Sequence, residues 1–368
     1  MKVLILGVGN AQIDAVNYCK NAGHEVYGCS YTNVEKGIPL LHHFDQRNIV
    51  DVDSILEYAE QEQIDVVYSV GSDIAMPTAC AVSEKLGLPH FVSYETAKIC
   101  NNKQLMRQTL GPEFKGNIPY VVAGTKEELQ NYNGFPGIIK PVDSQGQRGV
   151  YRVDSLEEAY ARFDESVSYS KAGKVILEQF LEGREVSVNA YMVDGKMAFG
   201  LVSDRISFSE FPGGIIKEHY IPSSFSKAVQ DKTIDLTCRV MERLEIRNGP
   251  CYFQIKVVDD EPYILEVTPR LDGCHMWKLI RYATGVDLLD ATFRHLLEGK
   301  ADQKWFSAAS SPKPVRTVFM CQAPGTVLEE KPEYPDALEV CWYYDVGDSV
   351  RKMNGYMEKC GYRMESLQ

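Results

Sequence analysis

The sequence predicts a mixed chain, α/β at its start and α+β beyond. Three observations predict it. Short apolar runs alternate with amphipathic helical stretches over the first hundred residues, the pattern of a parallel sheet covered by helices. From Asn101 onward strands outnumber helices. The length of 368 residues suggests two or three domains at roughly 100 to 200 residues each, every one large enough to bury its own core.

The elements follow in order. Lys2 to Leu6 is an apolar strand that runs into Gly7-Val8-Gly9-Asn10, and Ile13, Val16 and Tyr18 begin a helical face that stops at Gly23. A second strand covers His24 to Cys29, a helix Asp53 to Gln61, a third strand Ile64 to Val70, and another helix Ile74 to Leu86, ended by Gly87. The Gly7-x-Gly9 turn invites a dinucleotide reading. The fingerprint needs a third glycine where Gln12 stands and an acidic residue after the second strand, which ends instead in Gly28-Cys29-Ser30-Tyr31. The glycines are therefore read as turn residues, without NAD.

Past residue 100, Asn102 opens a helix to Leu110, Tyr120 to Ala123 forms a strand, and Thr125 to Tyr132 a short helix. Ile138 to Pro141 and Val150 to Val153 form a hairpin around the polar loop 143–149 (DSQGQRG). Ser155 caps a helix with Glu157 and Glu158 in its first turn, and a strand spans Lys174 to Gln179. Strand texture dominates Glu185 to Val202 and Tyr252 to Val267, with a long helix near Ser226 to Leu244.

Composition narrows the function. With 39 Lys and Arg against 51 Asp and Glu the net charge is −12, and no long basic run is present, which argues against a nucleic-acid binder. No apolar stretch reaches the roughly 18 residues of a spanning helix, and Val3 to Val8 lacks the features of a signal peptide, so a cytoplasmic protein off the membrane is expected. Ten cysteines without a CxxC pair are read as reduced, mostly buried thiols rather than a disulfide or zinc framework.

Three units carry chemistry. Lys140, at the end of an apolar strand and before a loop rich in backbone N–H donors, suits a triphosphate, with Ser144 among the covering groups. Val175 to Leu181 admits a carboxylate only at Glu178, followed by Glu185 on the next strand. A connector of this kind offers backbone groups and acceptors to a purine, although taken alone these residues favour a plain hairpin with exposed acids. Two adjacent strands around the turn Asp259-Asp260-Glu261-Pro262 bring Gln254 beside Glu266, and period two puts Glu266, Thr268 and Arg270 on one face. Oxygen ligands of this kind suit magnesium, and the arginine suits a neighbouring anion.

The order of these units resembles the ATP-grasp superfamily over nearly the whole chain. The motifs are Asn101-Asn102-Lys103, Gly137-Ile138-Ile139-Lys140-Pro141 with the 143–149 loop, Leu177 to Glu185, and Ile264 to Arg270. The resemblance implies an ATP-grasp fold with an N-terminal Rossmann-like pre-ATP-grasp domain at 1–100 and the ATP-binding unit at 101–368, its small lid lobe near 124–180. It implies that Lys103, Lys140, Ser144 and Gln147 face ATP phosphates, that Glu178 and the Phe180-Leu181 backbone face adenine, and Glu185 the ribose. Gln254, Glu266 and Thr268 would hold Mg2+, and Arg270 with Lys140 would act on the transferred phosphoryl group. Many relatives have a carboxylate at Gln254 and an asparagine at Thr268, which leaves the second metal position open; the carbamoyl-phosphate synthetase branch is similar in using Gln.

The resemblance implies an ATP-dependent ligase of small carboxylates and amines that works through an acylphosphate, with a homodimer common among relatives. A bicarbonate-activating enzyme of carbamoyl-phosphate type and a non-catalytic ATP-binding protein are the alternatives. Outside the motifs, Arg205 is read as a substrate carboxylate contact or a surface salt bridge. Gly71-Ser72-Asp73, at the end of the third strand where open parallel sheets place ligand contacts, is read first as a helix N-cap, with a substrate contact as an additional role, and Cys274 and His275 as pocket lining whose side chains point apart.

Overall fold

A computed structural model describes residues 1–144, 148–211, 214–308, 311–352 and 356–367. The chain begins with β1 (Lys2–Leu6), α1 (Ile13–Asn21), β2 (Glu25–Ser30), β3 (His43–Gln46), α2 (Val52–Glu62), β4 (Val66–Tyr68), α3 (Met76–Leu86) and α4 (Tyr94–Asn101). The four strands form a parallel sheet in the order β3-β2-β1-β4. Helices cover both faces, which is why Val3 to Leu6 are apolar without alternation and all fully buried. Strand order diverges on either side of β1, so the loops after β1 and β4 flank the crevice where open parallel sheets place ligands.

One of these elements escapes the sequence pattern. The segment of β3, His-Phe-Asp-Gln, holds one apolar residue and lies at the sheet edge, where alternation is weak. The Asp73 region also differs from expectation. Helix α3 starts at Met76 with Pro77 in its first turn and no side-chain cap, so neither Ser72 nor Asp73 caps it. Gln12 explains the missing third glycine: its side-chain amide donates to the Val70 carbonyl and ties the first turn to the loop after β4.

Next come α5 (Lys103–Leu110), β5 (Tyr120–Ala123), β6 (Gly137–Pro141), β7 (Tyr151–Val153), α6 (Leu156–Ser168) and β8 (Val175–Gln179). The strands make an antiparallel sheet ordered β5-β8-β6-β7, backed by α6 through Ala123, Ile139, Phe163 and Leu177. Ser155 caps α6 by accepting from the Glu158 amide at 3.3 Å.

The body contains β9 (Arg184–Val193), β10 (Lys196–Ser207), β11 (Ile216–Ile221), α7 (Lys227–Arg243), β12 (Gly249–Val258), β13 (Glu261–Thr268), α8 (Met276–Thr284), α9 (Leu288–Glu298), β14 (Val315–Gln322), β15 (Glu339–Trp342) and β16 (Glu358–Ser366). Its strands form one antiparallel sheet ordered β13-β12-β9-β10-β11-β14-β16-β15. One apolar core runs from Val3, Ile5 and Val66 of the first sheet to Val188, Phe253 and Phe293 of the body. The N-terminal sheet is thus packed onto the body by a continuous interior.

Candidate active site

The small sheet brings Lys140 and Glu178 together. In the β6/β8 register Lys140 faces Ile176 and Ile138 faces Glu178, so the two charged residues are diagonal neighbours on one face. Lys140 Nζ lies 2.6 Å from Glu178 Oε2, and both side chains are buried. The other carboxylate oxygen accepts from Arg107 Nε at 2.9 Å. Burial alone would raise the Glu178 carboxyl, but Arg107 and Lys140 overcome it and hold it at about 2. The adenine contact expected of Glu178 therefore finds both oxygens engaged by cations. Sequence reading missed Arg107, which is fully buried on α5 beside Met106 and one turn before Leu110. An arginine on the apolar stripe of a helix is the signal that points to it.

Helix α5 also delivers Lys103. Its N-cap Asn102 accepts from the Leu105 amide at 3.1 Å, and the Lys103 amide donates to the Val142 carbonyl at 2.8 Å. The helix start is thereby joined to the strand that carries Lys140. Lys103 Nζ then donates to the Ser144 carbonyl at 3.0 Å and lies 3.3 Å from Glu266. Asp143 fixes the beginning of the loop by accepting from Ser170 Oγ at 2.7 Å and the Ala172 amide at 2.9 Å. Gln147 lies outside the described residues.

On the body sheet, Gln254 of β12 faces Glu266 of β13 directly, next to a bulge after Gln254. The Gln254 amide nitrogen donates to Glu185 at 2.8 Å, which leaves its carbonyl oxygen to offer. Glu185 also pairs with Arg205 and has Lys256 at 3.6 Å. Arg205 is buried, so the surface salt bridge foreseen for it is corrected: the pair lies inside the site. Burial raises the Glu266 carboxyl, and Lys103 and Lys140 outweigh it, holding the group below its usual range. Glu266 is thus ionised, as a metal ligand must be. Thr268 is buried at the end of β13.

The Phe180 amide donates to the Pro136 carbonyl at 2.9 Å, and its ring sits between Arg152 at 4.5 Å and Lys256 at 5.5 Å. Leu181 is buried beside it. Arg270 Nε donates to Asp73 at 2.9 Å and Nη1 to the Leu271 carbonyl at 2.8 Å. Beside it the N-terminal sheet's loop meets the body closely: a Cβ on Gly71 would stand 2.8 Å from Gly273 Cα, and Gly71 has φ of +67°.

The residues fit a phosphorylated ligand and a divalent cation on their own chemistry. Ser144 Oγ and Arg107 Nη2 are buried without a hydrogen-bond partner, two donors near a cationic strand end. Glu266 and Gln254 present oxygens side by side, as a hard cation requires.

Residues 133–277 match the model of the ATP-grasp domain. L-amino acid ligase from Bacillus licheniformis superposes with a TM-score of 0.81 at 17% identity, over 99% of this chain and 93% of that one. Phosphoribosylglycinamide synthetase from Anaerococcus prevotii gives 0.77 at 18%, over 100% and 94%. These likenesses establish the fold, including its N-terminal parallel-sheet domain. Among curated relatives, dapdiamide A synthase of Enterobacter agglomerans is 24% identical over 61% of this chain and 54% of its own length. The C-terminal section of the carbamoyl phosphate synthase large chain of Aquifex aeolicus is 31% identical over 48% and 33%. The chain therefore spans about half or less of these relatives.

Proposed function

We propose that the protein is an ATP-dependent carboxylate-amine ligase that forms an amide or peptide-like bond through an acylphosphate and releases ADP and phosphate. The observation that carries it is the convergence of Lys103 and Lys140 with Gln254 and Glu266, and of Arg270 on the loop that follows. In this reading residues 1–100 are the pre-ATP-grasp domain, residues 101–368 the ATP-binding unit, and about 124–180 its lid. The names of relatives that are amino acid ligases or dapdiamide synthases support it. The proposed setting is the cytoplasm, with small-molecule substrates and a homodimeric state.

Phosphoryl transfer needs alignment and charge neutralisation more than covalent help from protein. Lys103 and Lys140 would meet phosphate oxygens, with Ser144 and Gln147 in the covering loop. Gln254, Glu266 and Thr268 would hold Mg2+, which when bound neutralises charge on the phosphate chain. Glu178 acts through Lys140 and Arg107, keeping the ammonium directed into the cleft. Phe180 and Leu181 would border the adenine, and Glu185 the ribose. Arg270, held by Asp73, would stabilise the phosphoryl group as it reaches the carboxylate, and then the acylphosphate on which the amine acts. The buried surroundings exclude water, which would otherwise hydrolyse that anhydride.

A phosphate-release screen crossing small organic acids with amines and amino acids tests the reading. ADP formed only when acid and amine are both present, with an amide product by mass spectrometry, is the expected result. No ADP from any pairing, together with unchanged nucleotide binding by Lys140→Ala, sinks it. Gln254 favours one second reading, a bicarbonate-activating enzyme of carbamoyl-phosphate type, for which bicarbonate alone would drive ADP release. Tight ATP binding without turnover would instead mark a non-catalytic nucleotide binder.

A further inference from the structure

The C-terminal strands carry a cavity that no step above uses. In the body sheet β14 pairs with β16 and β16 with β15, and the register sets Met320 opposite Gly361 and Gly361 opposite Trp342. Val318, Arg363 and Val340 form the next row on the same face. The segment 323–338 between β14 and β15 holds no helix and only a single bridge, Val327 to Ser349. It is tied down at both ends: the Leu328 amide donates to the Asp348 carbonyl at 3.0 Å and the Leu338 amide to the Met364 carbonyl at 2.8 Å. Between those anchors Glu330 and Tyr334 join Met320, Gln322, Trp342 and Arg363 in lining a cavity of about 300 Å³, the lower end of small-molecule sites.

The lining says what kind of molecule fits. Trp342, Tyr334 and Met320 offer two aromatic rings and a thioether, a surface for a flat ring. Gly361 lies beneath them: a Cβ there would stand 2.8 Å from Met320 Cε and 3.1 Å from Trp342 Cα, so both reach their places only over a glycine. The Arg363 guanidinium lies 4.4 Å from the centre of the Tyr334 ring, and Glu365 accepts from its Nε. Its Nη1 and Nη2 donate to no group among the described residues. The Gln322 carbonyl accepts from Thr326 at 3.5 Å, while its amide nitrogen donates to nothing among the described residues. A stacked guanidinium with a free edge recognises a planar carboxylate through two parallel hydrogen bonds. A phosphate is a weaker fit, because Glu330 and Glu365 repel a dianion more than a monoanion.

The cavity opens on the reverse face from the proposed nucleotide cleft. Gln254 pairs with Ser187 and Ser187 with Ser203, so Arg205, two residues on, shares their face. Arg205 pairs with His219, His219 with Thr317, and Thr317 with Met364. Met320 and Arg363 stand an odd number of positions from Thr317 and Met364, and so point the other way. We propose that Met320, Tyr334, Trp342 and Arg363 form a binding site for a small aromatic monocarboxylate, separate from the nucleotide cleft. The carboxylate meets the free edge of Arg363 and the Gln322 amide, and the ring lies against Trp342 and Met320. The site does not depend on the ligase reading above.

The test is titration calorimetry on the full chain with benzoate, phenylacetate and indole-3-acetate, each beside its neutral amide, and with phenyl phosphate. At least one acid binds at one per chain, and its amide binds about tenfold more weakly or worse, because the guanidinium edge is left unpaired. Arg363→Met weakens that acid by about tenfold or more, and Arg363→Lys, which keeps the charge without the fork, by about threefold or more. Saturating ATP with Mg2+, or Lys140→Ala, changes the Kd of the acid by less than about twofold. The contrast of acid with amide and the ATP arm need no variant, so they decide the matter should the arginine variants not fold. No heat from any acid at about 10 mM, an amide or phenyl phosphate as tight as the acid, displacement of the acid by ATP, or an Arg363→Met chain that binds as tightly as wild type overturns the site.

Discussion

Arg270 is held by Asp73, a residue 197 positions earlier in the chain, which accepts from both Nε and Nη2 of the guanidinium. The loop after β4 thereby orients an arginine that the body sheet delivers to the cleft. It gives the N-terminal sheet a direct part in the site, besides packing. Asp73→Asn keeps the shape and removes the charge. The expected outcome is a kcat lower by about 10- to 100-fold with KM for ATP within about twofold, and a stability loss of about 1–3 kcal/mol in urea. An unchanged kcat would assign the pair a purely structural role.

The buried triad of Arg107, Glu178 and Lys140 separates binding from folding. Lys140→Ala leaves Glu178 paired with Arg107, so the fold persists while ATP affinity by calorimetry falls about tenfold or more. Arg107→Met is expected to destabilise the chain by about 3–5 kcal/mol, since it leaves a buried carboxylate short of its larger partner. Denaturant midpoints of the two variants distinguish the roles.

The same triad sets a pH dependence. Glu178 is held at about 2, below its ordinary 4.5, by Arg107 and Lys140 against the opposing effect of burial. A carboxyl whose folded value lies below its unfolded value contributes stability that is fully present above about pH 4.5 and lost as pH falls toward 2. The full contribution is about 3 kcal/mol. Urea denaturation should show the gap between wild type and Glu178→Gln narrowing as pH drops through that window. A gap that stays constant would contradict the assignment.

Glu266 provides the metal prediction. Its carboxylate is kept ionised by Lys103 and Lys140 and stands beside Gln254. Glu266→Gln is expected to raise the half-saturating Mg2+ concentration by about tenfold, with a smaller effect from Gln254→Ala, which removes a neutral ligand. Mg2+ titrations of ADP release at fixed ATP read both.

Much of this site could be read from the sequence because its contacts are local or periodic. Lys140 stands out as a charge on an apolar strand. Gln254 and Glu266 flank a short turn, so register alone pairs them. Asn102 announces its helix. The contacts that could not be read join distant segments: Asp73 to Arg270, Arg107 to Glu178, and Arg205, His219 and Thr317 across three strands. Period and turn chemistry do not report such pairings, because tertiary packing decides them. Asp73 also illustrates competition between readings. A local cap is a good use of aspartate before a helix, but a buried guanidinium is a stronger partner.

The central claim, that a carboxylate is activated by phosphoryl transfer before an amine displaces phosphate, is tested most directly with oxygen-18. The carboxylate found active in the screen is labelled in both oxygens, and the phosphate released during amide formation is analysed by mass spectrometry. An acylphosphate route transfers one labelled oxygen to each phosphate, with ADP as the other product. Unlabelled phosphate, or AMP and pyrophosphate in place of ADP and phosphate, would contradict the account.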